Sequence, residues 1–296
     1  MTSDETKFSN GEIETVVVNG LELANELRES MAKEVAELIA AGGRAPCLVV
    51  VLVGDDPASR SYIKGKQRAC ARIGMDSREV ILPEAASQDE LLTLIKDLNA
   101  DEGVDGILVQ LPLPKAIDPN VVAEAIDPAK DVDALHPTTA GLLLSGRAKL
   151  MSCTPLGVMA ILDHCGVEIE GARAVVIGRS NIVGKPVSIM LQQRNATVTL
   201  CHSRTRDLAK VCREADILVA ATGRARMVKA DWIKPGAAVM DVGVSEIDGK
   251  LIGDVDFDAA IGTAGFITPS RRGIGPMTIT MLLRNTLVAY RARSGD

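Results

Sequence analysis

Apolar residues recur along the chain in two alternating patterns, one typical of helices and one of buried strands. One face of a predicted helix carries Ala24, Leu27, Met31, Val35 and Leu38. The apolar run CLVVVLV that follows has the length and the β-branched content of a buried strand. The alternation continues with predicted elements at 57–73, 78–82, 88–99, 104–111 and 119–126. This order predicts an α/β fold with a parallel sheet covered by helices.

A second series of the same kind begins near residue 151. In TPLGVMAILDHCG, Thr154 can cap a helix, Pro155 suits its first position and Gly166 follows its end. Strands are predicted at 173–177, 197–201, 216–221 and 237–242. The last amphipathic helix, GPMTITMLLRNTLVAY, precedes no further strand. We therefore expect that helix to return to the first domain.

The two series predict two α/β domains joined by a loop. The segment DPAKDVDALHPTTAG has many turn-forming residues and no periodic pattern, which indicates a loop at a domain edge. We expect a first domain at 16–150, a second domain at 151–275 and the returning helix at 276–296. Residues 1–15 are polar and are predicted to form a disordered leader.

Composition and charge narrow the possible classes of protein. Hydrophobic residues make up 47% of the chain, but the apolar runs are shorter than the ~18 residues that a membrane helix needs. The start, MTSDETKFSNGE, has neither the basic nor the apolar region of a targeting signal. A net charge of -6 with 2% aromatic residues is unlike nucleic-acid binders. We expect a soluble cytoplasmic protein that binds neither membranes nor nucleic acid.

Cysteine and histidine positions give no metal-binding pattern. The six cysteines include no Cys-x-x-Cys pair, and His136, His164 and His202 are far apart in the sequence. We therefore expect reduced thiols and no metal site.

The segment RAVVIGRSNIVGKPVSIM predicts a strand, a glycine-containing loop and a helix, the arrangement that receives a phosphate at a helix N-terminus. Gly178 and Gly184 are six residues apart and no middle glycine is present, so a structural turn is also compatible. The next strand ends in CHSRTRD, where an NAD enzyme would have an acidic residue. These side chains and Arg179 suit a 2′-phosphate, which predicts NADP rather than NAD. Alternatively, Arg204 and Arg206 are solvated loop residues.

Tyr62 and Lys66 lie one turn apart on a helix that Asp56 and Pro57 begin and Gly74 ends. The pair could orient a substrate and transfer protons, but this spacing is common on ordinary amphipathic helices. A Tyr-x-x-x-Lys motif also marks short-chain dehydrogenases, where it follows the nucleotide loop in the same domain. Here it precedes that loop, in another domain, which excludes the short-chain class.

Two further segments contain candidate polar side chains, one at the end of an apolar strand and one in an irregular segment. Gln110 follows the apolar run GILV, at the edge where α/β sheets bind ligands. Asp131 and Asp133 stand two apart in KDVDALHP. One carboxylate could face a cleft between the domains, or both could cap or solvate a loop.

Eight segments, in order, resemble the bifunctional methylenetetrahydrofolate dehydrogenase/methenyltetrahydrofolate cyclohydrolase family: YIKGK, GILVQLPLP, KDVDALHP, CTPLGV, VVIGRSNIVGKP, CHSRT, GDVDF and GIGPMTITMLLRNT. The resemblance runs from about residue 16 to 290. It implies a substrate domain and a Rossmann-like NADP-binding domain around a cleft, usually in a homodimer. It also implies oxidation of 5,10-methylenetetrahydrofolate to the methenyl form, and hydrolysis of that form to 10-formyltetrahydrofolate.

The resemblance further implies roles for individual residues. Lys66 would be the central catalytic residue, with Tyr62 positioning the pterin, Gln110 tuning the lysine and Asp133 anchoring the pterin ring. Pro276 would also contact the substrate. The implied cofactor-binding residues are Gly178, Arg179, Ser180, Gly184, Ser203, Arg204, Thr222 and Gly243.

The sequence departs from the family pattern at three places. Ala134 and Thr139 replace a usual glycine and asparagine, and TPSRRG replaces Thr-Pro-Val-Pro-Gly-Gly at 268–273. The last change puts Arg271 and Arg272 where a proline and a glycine usually lie. It is compatible with neutral loop variation. The sharper hypothesis is that one arginine pairs with an anionic ligand, such as the folate glutamate tail, or changes the balance of the two activities.

The sequence is also compared with three other functions. One is a dehydrogenase whose cyclohydrolase activity is weakened or lost, and another is a noncatalytic NADP-binding sensor. The joint presence of Tyr62, Lys66, Gln110 and Asp133 argues against a sensor. An amino-acid dehydrogenase of similar plan would need groups for an α-carboxylate and an α-amine, and the sequence has no evident motif for them.

Overall fold

The structure is a computed structural model that describes residues 6–9 and 13–294. In chain order the strands are β1 (Thr6–Ser9), β2 (Glu14–Val17), β3 (Cys47–Val53), β4 (Asp76–Leu82), β5 (Gly106–Val109), β6 (Arg173–Ile177), β7 (Thr197–Cys201), β8 (Ile217–Ala220), β9 (Ala238–Asp241), β10 (Val244–Ile247), β11 (Lys250–Gly253) and β12 (Phe266–Ile267). The α-helices are α1 (Gly20–Ala40), α2 (Pro57–Arg72), α3 (Gln88–Ala100), α4 (Pro119–Ala125), α5 (Pro137–Leu144), α6 (Cys153–His164), α7 (Gly184–Gln193), α8 (Leu208–Cys212), α9 (Phe257–Ala260) and α10 (Ile274–Ser294).

The chain forms two compact units. The first unit comprises Asn25–Cys153 together with the chain from Ile279 onward. The second unit comprises the chain up to Ala24 and Thr154–Thr278. Within the ranges that the structure describes, no helix is long and apolar enough to cross a membrane.

The first unit is built on a parallel three-stranded sheet in the order β4-β3-β5. All seven residues of β3 are buried, as the continuous apolar run predicts. Each buried Val, Leu or Ile side chain contributes roughly 1.5 to 3 kcal/mol, so this central strand anchors the unit. Helix α2 begins as predicted, because Asp56 accepts a hydrogen bond from Ser59 N at 2.8 Å and Pro57 follows. Helix α3 begins with the predicted capping box of Ser87 and Glu90.

The predicted loop at 127–141 is wrong in its last part, where α5 begins at Pro137. His136 caps that helix, since its Nδ1 accepts a hydrogen bond from Thr138 N at 2.9 Å. The leucines that complete α5 lie beyond the segment, which therefore showed no helical pattern. The predicted strand at 104–111 is shorter, limited to β5.

The second unit contains a seven-stranded sheet in the order β1-β2-β12-β9-β8-β6-β7. Only the β1–β2 pair is antiparallel among these neighbours. The four predicted strands correspond to β6, β7, β8 and β9, and all residues of β8 and β9 are buried. A separate antiparallel hairpin joins β10 and β11.

The N-terminal residues differ from the prediction. Residues 6–9, expected within a disordered leader, form β1, and the other leader residues up to 12 lie outside the described part. Residues 16–24, expected in the first domain, belong to the second unit. Backbone pairing explains this placement, because Val16 N donates to Gly265 O at 2.8 Å and Val18 N to Ile267 O at 2.9 Å.

The start of α6 also differs from the prediction. The helix begins at Cys153, so Thr154 lies inside its first turn rather than at the cap. Thr154 Oγ1 instead shares a hydrogen bond with Thr278 Oγ1 at 2.9 Å. Gly166 follows the helix with a φ of 63°, the left-handed conformation expected after a helix end.

Both positions where this chain replaces a family glycine have left-handed backbone. Ala134 has a φ of 57° and Arg272 a φ of 63°. A side chain in this region costs about 1 to 2 kcal/mol, a cost that glycine does not have. The usual glycines therefore have a conformational reason, and this chain keeps the backbone shape without them.

Replacing Arg272 with glycine should stabilise the protein. We expect the free energy of unfolding to rise by roughly 0.5 to 1 kcal/mol, because relief of the left-handed strain exceeds the entropy that glycine adds to the unfolded chain. Urea denaturation of the two proteins measures the difference. The control is Arg271→Gly, outside the left-handed region, which should lower stability instead. A gain of the same size at both positions would contradict the explanation.

Candidate active site

A lysine and a glutamine meet at the end of the first unit's sheet. Lys66, on α2, donates a hydrogen bond from Nζ to Gln110 Oε1 at 2.8 Å. Gln110 follows β5; its backbone N donates to Val51 O at 2.8 Å and its Nε2 to Leu111 O at 2.7 Å. The amide is thereby oriented with its oxygen toward Lys66. This neutral acceptor holds the amine without adding a negative charge that would favour the protonated form.

Burial shifts the pKa values of two groups at this place toward neutral forms. It lowers the pKa of Lys66 from its ordinary 10.5, with Asp133 and Cys153 acting in the opposite direction. Burial raises the pKa of the Asp133 carboxyl, and the charge of Lys66 opposes that change. A lysine whose pKa is lowered in this way can act as a base nearer neutral pH than a solvated lysine can.

The two aspartates of KDVDALHP have different surroundings. Asp131 is buried and accepts hydrogen bonds from Leu135 N at 3.1 Å, His136 N at 2.9 Å and Thr139 Oγ1 at 2.8 Å. Its carboxylate therefore holds the turn, a structural role of the kind that turn aspartates commonly have. Asp133 is the aspartate whose charge acts on Lys66. Thr139 supplies a donor to Asp131 in place of the family's usual asparagine.

Tyr62 is available for contact with a ligand. It lies one turn before Lys66 on α2, and 58% of the residue is exposed. An exposed aromatic side chain next to a half-buried lysine gives an incoming planar ring a surface on which to pack.

Sequence reasoning assigned no role to two residues that support this site. Asn285 is buried on α10; its Nδ2 donates to Val132 O at 2.7 Å and to Met151 O at 2.8 Å. Cys153 Sγ donates to Val132 O at 3.3 Å, and burial raises the pKa of this thiol well above 9.0. Both residues therefore hold the backbone just before Asp133. An asparagine within the apolar stretch of α10 was the available signal, because a buried amide needs partners.

A cavity of about 410 Å³ opens in the second unit beyond the ends of β6, β7 and β8. This is the sheet edge where α/β folds bind nucleotides. Five of the predicted cofactor residues line it: Gly178, Arg179, Ser180, Ser203 and Thr222. Leu208 and Met227 add an apolar part to the wall. The cavity thus combines hydroxyl, guanidinium and apolar groups, a composition that fits a phosphorylated dinucleotide.

Close backbone approach explains both glycines of the nucleotide loop. Gly178 has a φ of 120°, and a Cβ atom there would lie 2.1 Å from Ala221 O. A Cβ atom at Gly184 would lie 1.9 Å from Gly178 O. Both positions therefore exclude any side chain, although their spacing departs from the usual fingerprint.

The N-terminus of α7 is less open to a phosphate than the sequence suggested. Ser180 Oγ accepts hydrogen bonds from Val183 N at 3.1 Å and Gly184 N at 3.3 Å. These two N–H groups are consequently engaged inside the protein. Ser180 keeps its hydroxyl hydrogen, which could donate to a phosphate oxygen.

Three predicted cofactor residues do not line the cavity, and one predicted substrate residue lies in a different unit from Lys66. Gly184 is buried against Gly178, and Arg204 is exposed, with its backbone N donating to His202 Nδ1 at 3.1 Å. Gly243 packs against Asp254, since a Cβ atom there would lie 2.1 Å from the Asp254 carboxyl carbon. Pro276 is half-buried near the start of α10, in the second unit.

Two family models match the chain. Residues 18–133 match the tetrahydrofolate dehydrogenase/cyclohydrolase catalytic domain. Residues 152–294 match the NAD(P)-binding domain of the same family. The first match contains Lys66 and Gln110, and the second contains the loop from Gly178 to Gly184.

Curated relatives and solved structures agree with these matches. The chain is 52% identical over 277 residues to a bifunctional protein FolD of Halothermothrix orenii, which covers 93% of this chain and 98% of that protein. A Campylobacter jejuni FolD structure matches with a TM-score of 0.92 at 42% identity, covering 94% of this chain and 99% of that one. A Trypanosoma brucei FolD structure in complex with NADP and an inhibitor matches with a TM-score of 0.91 at 39% identity, covering 95% and 99%. The chain therefore belongs to the tetrahydrofolate dehydrogenase/cyclohydrolase family.

Proposed function

We propose that this protein oxidises 5,10-methylenetetrahydrofolate to 5,10-methenyltetrahydrofolate with NADP and hydrolyses the product to 10-formyltetrahydrofolate. The observation that carries the proposal is the hydrogen bond from Lys66 to Gln110, with Asp133 acting on the same amine. The names of the relatives that match over nearly the whole chain support both activities.

In the hydrolysis, a water molecule adds to the methenyl carbon and must lose a proton. Neutral Lys66 can accept that proton directly or through a second water. The protonated lysine can then return a proton to the ring nitrogen as its bond to the carbon breaks. Gln110 keeps the amine oriented throughout, and Tyr62 and Asp133 are proposed to hold the pterin ring in place.

The cavity of the second unit is proposed to hold NADP. The bound cofactor supplies the acceptor for the hydride that leaves the one-carbon bridge. Arg179, Ser180 and Ser203 are proposed to bind the 2′-phosphate, because an arginine fork and two hydroxyls are suited to an anion. Arg204 lies outside this wall, so its contribution would be weaker.

The direct test of the dehydrogenase activity compares NADP with NAD as acceptors for 5,10-methylenetetrahydrofolate. We expect NADPH formation with a kcat/KM at least tenfold higher than for NAD, since several groups are available for the extra phosphate. No reduction of either acceptor would contradict the proposed function.

A homodimer is proposed, and the hairpin of β10 and β11 is the candidate contact. Its exposed apolar side chains are Val244, Ile247 and Leu251, each more than 40% exposed. Leu251 lies opposite Glu246 in the hairpin register.

Leu251→Lys should weaken this contact, because a charge would be buried against an apolar partner surface, while the lysine can pair with Glu246 across the hairpin. Sedimentation should give twice the 31.3 kDa chain mass for the wild type and a shift toward the single-chain mass for the variant. Leu144→Lys is the control, since that exposed leucine lies in the first unit. A wild type that sediments as one chain would contradict the proposed dimer.

A cytoplasmic location is also proposed. All six cysteines lie in the described part of the chain and form no disulfide, which is expected in a reducing compartment.

We also propose that one arginine of TPSRRG pairs with an anionic ligand or changes the balance of the two activities. Both arginines are exposed, as contact with an anionic ligand requires. The double variant Arg271→Pro, Arg272→Gly restores the family's usual residues. Unchanged folate affinity together with an unchanged ratio of the two activities would rule the hypothesis out.

A further inference from the structure

Asp254, the first residue after β11, accepts hydrogen bonds from the loop Thr222–Arg224 through its carboxylate. The residue is completely buried. Its Oδ2 accepts hydrogen bonds from Thr222 N, from Thr222 Oγ1 at 2.9 Å and from Gly223 N at 3.1 Å. Its Oδ1 accepts one from Arg224 N at 2.6 Å. One side chain thus engages four donors from three consecutive residues.

The loop Thr222–Arg224 forms part of the wall of the nucleotide cavity. Thr222 and Arg224 line that cavity, and Gly223 between them has a φ of 67°. Glycine has wide backbone freedom, so a loop with a glycine in its middle needs tertiary contacts to hold a single shape. The Asp254 carboxylate provides these contacts, since it engages the backbone N–H of all three residues.

A second aspartate and two glycines fix the place of Asp254. Asp241 accepts hydrogen bonds from Asp254 N at 2.8 Å and from Val255 N at 3.2 Å. A Cβ atom at Gly243 would lie 2.1 Å from the Asp254 carboxyl carbon, and one at Gly253 would lie 1.8 Å from Asp241 Oδ2. The two glycines therefore leave space for the two buried carboxyl groups.

We propose that Asp254 is a positioning residue for NADP, which shapes the Thr222–Arg224 loop before the cofactor binds. This inference rests on the proposed function, because it takes NADP as the ligand of the cavity. A loop that is already ordered avoids the entropy cost of becoming ordered when the cofactor binds. If the loop loses this order, the dissociation constant for NADP rises. Gly243 then affects the cofactor through the space that it gives Asp254, rather than by direct contact.

Asp254→Asn tests the inference with little change in size. The asparagine would present an amide nitrogen, which cannot accept hydrogen bonds, in place of one carboxylate oxygen. Between one and three hydrogen bonds are then lost, because Oδ1 accepts one and Oδ2 accepts three. We expect the NADP dissociation constant and the KM for NADP to rise at least tenfold. Hydrolysis of methenyltetrahydrofolate in the absence of NADP should stay within twofold, because Lys66 and Gln110 lie in the other unit.

Two control variants separate positioning from general destabilisation. Asp256→Asn changes a nearby carboxylate that pairs with Lys229 at 2.9 Å, and it should bind NADP as the wild type does. Val239→Ala removes buried volume from β9 and should lower the melting temperature without changing NADP affinity. Wild-type affinity in Asp254→Asn, or an equal loss of affinity in Val239→Ala, would overturn the inference.

If Asp254→Asn does not fold, amide hydrogen exchange of the cofactor-free wild type provides a second test of the loop's order. The amides of Thr222, Gly223 and Arg224 should be protected before NADP is added, and free exchange at all three would overturn the inference. A wild type that does not bind NADP would contradict the proposed function itself. NADP binding by the wild type with an unaffected Asp254→Asn variant would contradict only the role of Asp254.

Discussion

Lys66→Met is expected to abolish hydrolysis of methenyltetrahydrofolate while NADP binding is retained. Methionine matches the length of the lysine stem but cannot accept a proton, and loss of a positioned acid–base group costs about 10²- to 10⁴-fold in rate. The predicted cofactor residues lie in the second unit, so the dissociation constant for NADP should change less than twofold. The measurements are the hydrolysis rate without cofactor and a fluorescence titration with NADP.

Lys64→Met is the matched control for this experiment. Lys64 lies on the same helix but is exposed, so its replacement should leave hydrolysis near the wild-type rate. Loss of NADP binding by a folded Lys66→Met protein would contradict the assignment of Lys66. So would hydrolysis at the wild-type rate.

Gln110→Glu should slow hydrolysis at neutral pH and move its pH dependence upward. The new carboxylate would replace an amide oxygen that lies 2.8 Å from Lys66 Nζ. A negative charge at that distance favours the protonated amine and therefore raises the pKa of Lys66. Below that pKa the neutral fraction, and hence the rate, should fall by about 10- to 1,000-fold.

The direction of the pH effect follows from the wild-type site. Burial lowers the pKa of Lys66 in the wild type, so the rising limb of its rate profile lies below the ordinary lysine value of 10.5. In Gln110→Glu the rising limb should move to higher pH, and the rate should recover there. The control is Gln67→Glu, which adds the same charge on α2, the helix of Lys66. Gln67 Nε2 donates to Glu79 Oε2 at 3.2 Å rather than to Lys66, so this variant should leave the pH profile in place. An unshifted profile in Gln110→Glu would contradict the role of Gln110.

The sequence predicted most of the elements because their signals are local. The capping box at Ser87 and the apolar run of β3 depend on neighbouring residues, and both were identified correctly. In contrast, β1 and β2 are short, and β2 is defined by backbone pairing with a distant strand at Phe266 and Ile267. The register of such a pairing is not visible in the strand's own residues.

The candidate site shows the same difference. Lys66 and Gln110 could be singled out, because one shares a helical face with Tyr62 and the other ends an apolar strand. Neither residue's pattern revealed that they form a hydrogen bond, since they are 44 positions apart. Asp254 was visible only as part of GDVDF, because its four donors come from a loop about 30 residues earlier in the chain. Family resemblance supplied the remaining site residues, and their roles stay predictions.

We propose above that this chain hydrolyses methenyltetrahydrofolate as well as oxidising the methylene form. The most direct measurement follows the disappearance of methenyltetrahydrofolate with purified protein and no NADP. We predict a loss clearly faster than in buffer alone, which would also make TPSRRG a tolerated variation. Loss at the buffer rate, in a preparation that still reduces NADP with 5,10-methylenetetrahydrofolate, would contradict the claim and indicate a dehydrogenase alone.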